Sequence, residues 1–203
     1  MSIALIDYGA GNLTSVRKAL THLGASFETP SSPAGLASAT GVIVPGVGNF
    51  AATAALGDEW RSAIADAVGR GRPLLGICLG LQWLFNGSTE APALTGFGTM
   101  TGTCTRISNA DGAGHFKVPH VGWNSLHVTR PSWLLEDIGE GDQVYFTHSY
   151  AAPVTVDCVA STTYGVEFAS VVERDSICGV QFHPEKSGDV GLQILRNFLR
   201  RIG

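Results

Sequence analysis

The sequence predicts an α/β fold of three layers: a mostly parallel central sheet with helices on both faces, and antiparallel strands added in the second half. Three observations lead there. Short apolar runs without alternation read as strands buried on both faces. Segments with apolar residues at helical spacing separate them. Glycine is abundant, 26 of 203 residues, and clusters directly after the apolar runs. Strands that alternate with helices in this way form parallel sheets.

Each element follows in order. Ile3, Ala4, Leu5 and Ile6 form a first buried strand. Asn12 is placed to cap a helix whose inner face carries Leu13, Val16, Leu20 and Leu23, stopped by Gly24. Val42, Ile43 and Val44 make a second strand, ended by Pro45-Gly46. Trp60, Ile64, Ala67 and Val68 repeat at helical spacing before Gly69 and Gly71. Residues 74–77 form a third strand, and residues 79–85 start another helix. Between Thr99 and Gln181 the texture turns Thr-, Val- and aromatic-rich, which predicts antiparallel strands and hairpins joining the sheet. Asp111-Gly112 is a turn signal. Ser187 caps a last helix with Val190, Ile194, Leu195, Phe198 and Leu199 inside. Arg196, Arg200 and Arg201 near its end suit the macrodipole. No repeat or linker interrupts the chain, so one domain is expected over residues 1–203.

Composition narrows the function. The chain is 44% hydrophobic and 15% charged, against about 25% charged in an average domain. A net charge of −4 argues against a nucleic-acid binder. The four cysteines, Cys78, Cys104, Cys158 and Cys178, form no C-x-x-C pair and have no zinc-ligand spacing, so no metal or cofactor is expected. The N-terminus lacks a basic segment, and Asp7 interrupts its apolar run, so it is not a signal peptide. The longest apolar stretch, residues 74–85, is shorter than the roughly 20 residues a membrane span needs. A cytoplasmic protein with reduced thiols is expected.

The strongest local signal is Gly76-Ile77-Cys78-Leu79-Gly80, a strand, then G-x-C-x-G, then a helix. With serine in the centre this is the nucleophile elbow. The glycines allow a tight turn that exposes Cys78, the helix N-terminus favours negative charge on the sulfur, and the Leu79 amide faces a developing oxyanion. Cys104, Cys158 and Cys178 lack this context and read as core residues. A thiol nucleophile needs a base, and the base needs an orienting group. Residues 180–185, V-Q-F-H-P-E, supply both: His183 and Glu185, two apart in an extended segment, point the same way. His148 is the rival base but has no carboxylate close in sequence. The run Pro45-Gly46-Val47-Gly48 admits two readings. With Ala51 it satisfies a G-x-G-x-x-A dinucleotide fingerprint, although the acids about 20 residues on fall in a helix. Otherwise it is a loop whose amides bind an oxyanion or carboxylate.

Residues 76–82 (G-I-C-L-G-L-Q), 179–187 (G-V-Q-F-H-P-E-K-S) and 45–48 (P-G-V-G) resemble the class I glutamine amidotransferases with a Cys-His-Glu triad. Residues 117–124 (K-V-P-H-V-G-W-N), 145–150 (Y-F-T-H-S-Y) and 6–13 (I-D-Y-G-A-G-N-L) are similar to the glutaminase subunits of imidazole glycerol phosphate synthases. The likeness runs from the first strand to the last helix. It implies a flavodoxin-like core and the hydrolysis of glutamine to glutamate and ammonia through a thioester on Cys78. His183 is implied as base and acid, oriented by Glu185, with the backbone N–H groups of Val47 and Leu79 as the oxyanion site. Gly48 and Gln82, with the backbone around Ser149 and Tyr150, match the glutamine-binding positions. Asn12, Trp123, Tyr145 and Lys186 are implied to face the partner, a cyclase subunit built as a (β/α)8 barrel. The chain ends directly after the last helix, so that barrel is expected on a separate chain. Leu81 stands where several relatives carry methionine, a volume-conserving change. Other class I glutaminases, such as the pyridoxal phosphate synthesis type or a γ-glutamyl hydrolase, remain alternatives, as does a non-catalytic regulatory module on the same fold.

Overall fold

The computed structural model describes residues 2–11, 13–108 and 116–202. Its first half runs β1 (Ile3–Leu5), α1 (Leu13–His22), β2 (Phe27–Glu28), β3 (Gly41–Gly46), α2 (Asp58–Gly69), β4 (Leu74–Cys78) and α3 (Leu79–Leu84). Six short strands follow: β5 (Gly87–Ser88), β6 (Thr103–Arg106), β7 (His120–Ser125), β8 (His127–Val128), β9 (Gln143–His148) and β10 (Tyr150–Ala151). The long hairpin β11 (Cys158–Tyr164) and β12 (Val166–Arg174) leads to β13 (Ile177–Val180) and helix α4 (Gly188–Ile202). Three short 3-10 turns, Pro33–Ser38, Phe50–Ala55 and Pro184–Lys186, punctuate the chain.

The central sheet has the order β2-β1-β3-β4-β13-β12-β11-β8. From β2 to β13 neighbouring strands are parallel; β12, β11 and β8 extend the sheet antiparallel. Every residue of β1, β3, β4 and β13 is buried. Parallel strands covered on both faces need such unbroken apolar runs. Alternate residues feed two cores. Leu5, Ile43, Leu75 and Ile77 pack with Val16, Leu20 and Phe198 from α1 and α4. Ala4, Val42, Val44 and Leu74 pack with Ile64, Ala67 and Trp83 from α2 and α3. Each large side chain so buried contributes about 1.5–3 kcal/mol.

Three expectations need correction. The strands of the second half do not all join the main sheet: β7 and β9 form a separate antiparallel ribbon, and β10, β6 and β5 a small third sheet. The buried run of β13 instead enters the middle of the main sheet, parallel to β4, because its wholly apolar surroundings suit a central position and not an edge. Ser187 does not cap α4 through its hydroxyl, which accepts from the Tyr145 N–H at 2.9 Å and donates to the His183 carbonyl at 2.7 Å. The Asn12 cap and the Asp111-Gly112 turn lie outside the described residues.

Register positions the site. Gly46 pairs with Cys78 across β3 and β4, and Val180 pairs with Ile77 across β13 and β4. The carboxyl ends of three parallel strands therefore meet at one edge, where open α/β sheets bind ligands. No helix among the described residues is long and apolar enough to cross a membrane.

Candidate active site

Cys78 sits at the junction of β4 and α3 with φ +54° and ψ −104°. A non-glycine residue in that region carries about 1–3 kcal/mol of strain. The flanking glycines hold it there by close approach. A Cβ at Gly80 would lie 1.8 Å from the Val44 carbonyl oxygen, and one at Gly76 would lie 2.6 Å from the Gly80 carbonyl. The elbow is thus clamped between its own turn and β3.

His183 and Glu185 follow β13 at the same edge. The His183 Nδ1 is 2.8 Å from Glu185 Oε1, and both side chains are 3% exposed. A carboxylate only accepts, so Nδ1 donates and, in the neutral ring, Nε2 keeps its lone pair; it has no hydrogen-bond partner. The pairing arises differently from the sequence expectation. His183 is extended, but residues 184–186 form a 3-10 turn, and this turn, not a continuing strand, brings Glu185 back onto the ring. Burial opposes charge on His183, yet the Cys78 sulfur and the Glu185 carboxylate outweigh it and raise its pKa to about 10.

Cys78 lines a cavity of about 300 Å³ together with Val47, Gly48, Leu79, Gln82, Ser149 and Tyr150. Every residue expected to bind glutamine or an oxyanion is therefore on one wall system with the thiol. The volume stands at the lower end of small-ligand sites, about 300–1,000 Å³, and suits an amino acid. A larger cavity of about 710 Å³ lies between the Pro33–Ser38 turn and α2; none of the expected site residues lines it. The dinucleotide reading of residues 46–51 fails, because Ala51 lies in a 3-10 turn that accepts no α-helix start there.

Several contributors escaped the sequence reading. Gln181 donates to Cys78 Sγ at 3.7 Å and accepts from Gln82 at 3.2 Å, while Gln82 also donates to the Tyr150 carbonyl at 2.8 Å. Gln181 stands two residues before His183 at the end of a strand, and that spacing was the available signal. Glu90 lines the cavity from a loop that no motif announces, and Pro119, Thr147 and His148, from the motifs at 117–124 and 145–150, join it there. Tyr8 places a buried hydroxyl without a partner beside Gly46; burial, then the Cys78 charge, raises its pKa. His148 is not a free base: Nδ1 bonds the Tyr150 carbonyl at 2.9 Å and Nε2 bonds His120 at 3.1 Å. Cys104, Cys158 and Cys178 are buried and unpaired. Among the described residues no group of three or more His, Cys, Asp or Glu side chains could hold a metal.

Trp123 and Tyr145 meet edge to face across the β7–β9 ribbon, with ring centroids 6.1 Å apart. The Lys186 ammonium lies 5.9 Å from the Tyr145 ring centre, and Trp123 is 55% exposed. Asn12 lies outside the described residues.

A strained cysteine elbow at the carboxyl edge of a parallel sheet, with a buried His–Glu pair beside it, is the arrangement that thiol-dependent acyl transfer requires. The chain belongs to the class-I glutamine amidotransferase family, which matches residues 4–202. It is 48% identical to the imidazole glycerol phosphate synthase subunit HisH of Moorella thermoacetica, over 97% of this chain and 93% of that one. The HisH subunit of Methanothermobacter thermautotrophicus is 43% identical over 98% of both chains. The chloroplastic hisHF protein of Arabidopsis thaliana is 44% identical over 97% of this chain but only 34% of its own length. Among solved structures, the crystal structure of a glutamine amidotransferase matches 99% of this chain and 98% of its own, with a TM-score of 0.75 at 19% identity. The structure of PurLQS from Thermotoga maritima matches 100% of this chain and 99% of its own, also at 0.75 and with 18% identity. Both show the α/β fold.

Proposed function

We propose that this chain is the glutaminase subunit of an imidazole glycerol phosphate synthase. The observation that carries the reading is the Cys78 elbow beside the buried His183–Glu185 pair, in a chain similar to HisH subunits over nearly its whole length.

The chemistry follows from the geometry. The Cys78 sulfur attacks the side-chain amide carbon of glutamine. The oxygen of the tetrahedral intermediate takes hydrogen bonds from the Val47 and Leu79 N–H groups, both of which border the cavity. Glu185 beside Nδ1 favours a proton on the His183 ring. Nε2 therefore accepts the thiol proton as the sulfur attacks and returns it to the departing ammonia, leaving a thioester. Water, deprotonated by the same His183 Nε2, then attacks the thioester carbon and releases glutamate and the free thiol. Gly48, Gln82, Ser149 and Tyr150 hold the substrate. Glu90, the carboxylate among the cavity residues, is placed to meet its α-ammonium.

The ammonia passes to a cyclase subunit, a (β/α)8 barrel on a separate chain, which incorporates it into imidazole glycerol phosphate and releases an aminoimidazole carboxamide ribotide. Lyase chemistry belongs to that partner. The plant hisHF relative is matched over a third of its length, which leaves room there for a fused second unit. The cyclase docks on the face of Trp123, Tyr145 and Lys186; Asn12, outside the described residues, is assigned to the partner by the family resemblance alone. Lys186 adjoins Glu185 in sequence, so contact at this face reaches the triad through one residue. The work takes place in the cytoplasm. The presence of Cys78, His183 and Glu185, with His183 and Glu185 paired, speaks against a non-catalytic module. The test is glutamine hydrolysis by the purified chain with and without the cyclase and its nucleotide ligand. Turnover that is slow alone and rises with the liganded partner supports the reading; full activity in the isolated chain, or none in the complex, refutes it.

A further inference from the structure

The triad does not use His120 and His148, although both are almost wholly buried, at 2% and 6% exposure. They face each other across the β7–β9 ribbon, in register. His148 also borders the cavity that holds Cys78. The hydrogen-bond partners at the two ends of this pair fix where every proton lies.

The Tyr150 carbonyl can only accept, so the His148 Nδ1 at 2.9 Å carries a hydrogen. In a neutral ring the His148 Nε2 is then an acceptor. The His120 Nδ1, 3.1 Å away, must donate to it. That leaves the His120 Nε2 as an acceptor, facing the Asn124 Nδ2 at 3.5 Å. The orientation of the Asn124 amide is settled independently: its oxygen accepts from the Ser125 N–H at 2.8 Å, and its nitrogen donates to the Thr163 carbonyl at 3.1 Å. Both ends therefore agree on one direction, Asn124 to His120 to His148 to the Tyr150 carbonyl. Adding a proton anywhere would set a donor against a donor. Burial lowers the pKa of His120 to about 4 and, opposed by the Tyr150 carbonyl and aided by His120 and His183, that of His148 to about 3, consistent with two neutral rings. Aromatic packing holds the rings in place: Tyr164 and Phe146 stack on His120 with centroids 3.9 and 4.8 Å away, and Phe168 meets His148 edge-on at 5.0 Å.

The chain of donors ends on the carbonyl that also accepts the Gln82 amide at 2.8 Å. We propose that His120 and His148 form a one-way hydrogen-bond relay that positions the Tyr150 carbonyl and Gln82 in the wall of the substrate cavity, anchored on the same ribbon that presents Trp123 and Tyr145. Both histidines are positioning residues. They hold the pocket and do not touch the reacting sulfur. The inference rests on the glutaminase reading, because that reading assigns Gln82 and Tyr150 to glutamine.

Two measurements test it. In the full-length chain with ¹⁵N-labelled histidine, NMR should show both rings as neutral Nδ1–H tautomers near neutral pH. An Nε2–H tautomer or an imidazolium at either ring overturns the relay, with no need for activity. Glutamine kinetics then test the positioning role in the complex with the cyclase. His120→Phe keeps the stacked ring but loses the donor, and should raise the KM for glutamine about 3- to 10-fold, the worth of one hydrogen bond, with kcat changed much less. His120→Asn restores an N–H near the Nδ1 position and should return KM most of the way. An unchanged KM in the Phe variant, or no rescue by Asn, overturns the role. Absence of glutamine turnover in the wild-type chain with its partner would instead refute the glutaminase reading, while the tautomer result would still stand or fall by itself.

Discussion

Replacing Glu185 with Gln removes one charge from the triad and changes almost no volume. The carboxylate lies 2.8 Å from the His183 Nδ1, and both side chains are 3% exposed, so solvent screens the pair little. An opposite charge at this range shifts a pKa by about 1–3 units. His183, raised to about 10 by Cys78 and Glu185 against burial, should therefore fall to roughly 7–9. The Gln amide also changes the preferred tautomer. Its NH₂ turned toward Nδ1 rewards a proton on Nε2, and that ring cannot accept the thiol proton. The equivalent loss in a serine triad costs about 10⁴ in kcat, so a loss of about 10²–10⁴ is expected here, or roughly 3–5 kcal/mol of barrier. The same change has a stability signature. A raised histidine pKa stabilises the fold fully below its unfolded value near 6.5, and that contribution is lost as pH rises through about 10. Glu185→Gln should flatten the decline in stability across that window. The assays are glutamine turnover in the complex, the His183 titration by NMR, and thermal unfolding from pH 6 to 10. A kcat within threefold of wild type, with an unmoved His183 titration, would refute the account of the triad.

Two further outcomes follow from the site. An electrophilic glutamine analogue should modify Cys78 and spare the other cysteines, since burial raises the thiol pKa of Cys104 and Cys178 and pushes Cys158 up to about 11; peptide mass spectrometry reporting equal labelling would contradict a selectively placed thiol. Gly80→Ala puts a methyl group 1.8 Å from the Val44 carbonyl oxygen. Overpacking costs about 1–3 kcal/mol, and a backbone clash stands at the upper end, so denaturant unfolding should show a loss of about 3 kcal/mol or more; a variant as stable as wild type would mean that the elbow is not clamped against β3.

The parallel core was legible because its strands are buried on both faces. Runs such as 42–44 and 74–77 admit few other readings, and the glycines at 76 and 80 announce the elbow. The Cys78 elbow and the His183–Glu185 pair were legible because each lies in a motif at a strand end. What stayed hidden depends on distant segments meeting. Glu90 reaches the cavity from a loop, and His148 meets His120 across the β7–β9 ribbon. The separate β7–β9 ribbon and the central position of β13 are choices of partner strand, which local pattern does not encode. The Pro184–Lys186 turn escaped because an extended segment and a 3-10 turn both bring residues 183 and 185 together. Ser187 looked like a helix cap and instead ties β9 to the His183 backbone.

The central claim is that glutamine passes through a covalent bond to Cys78, and rapid acid quenching tests it most directly. The chain, bound to its liganded cyclase and turning over glutamine, is quenched, digested and analysed by mass spectrometry. The account predicts a peptide containing Cys78 that carries a glutamyl group, absent in Cys78→Ala, which should also form no ammonia. Ammonia release at the wild-type rate by Cys78→Ala, or a glutamyl adduct on any other cysteine, would contradict it.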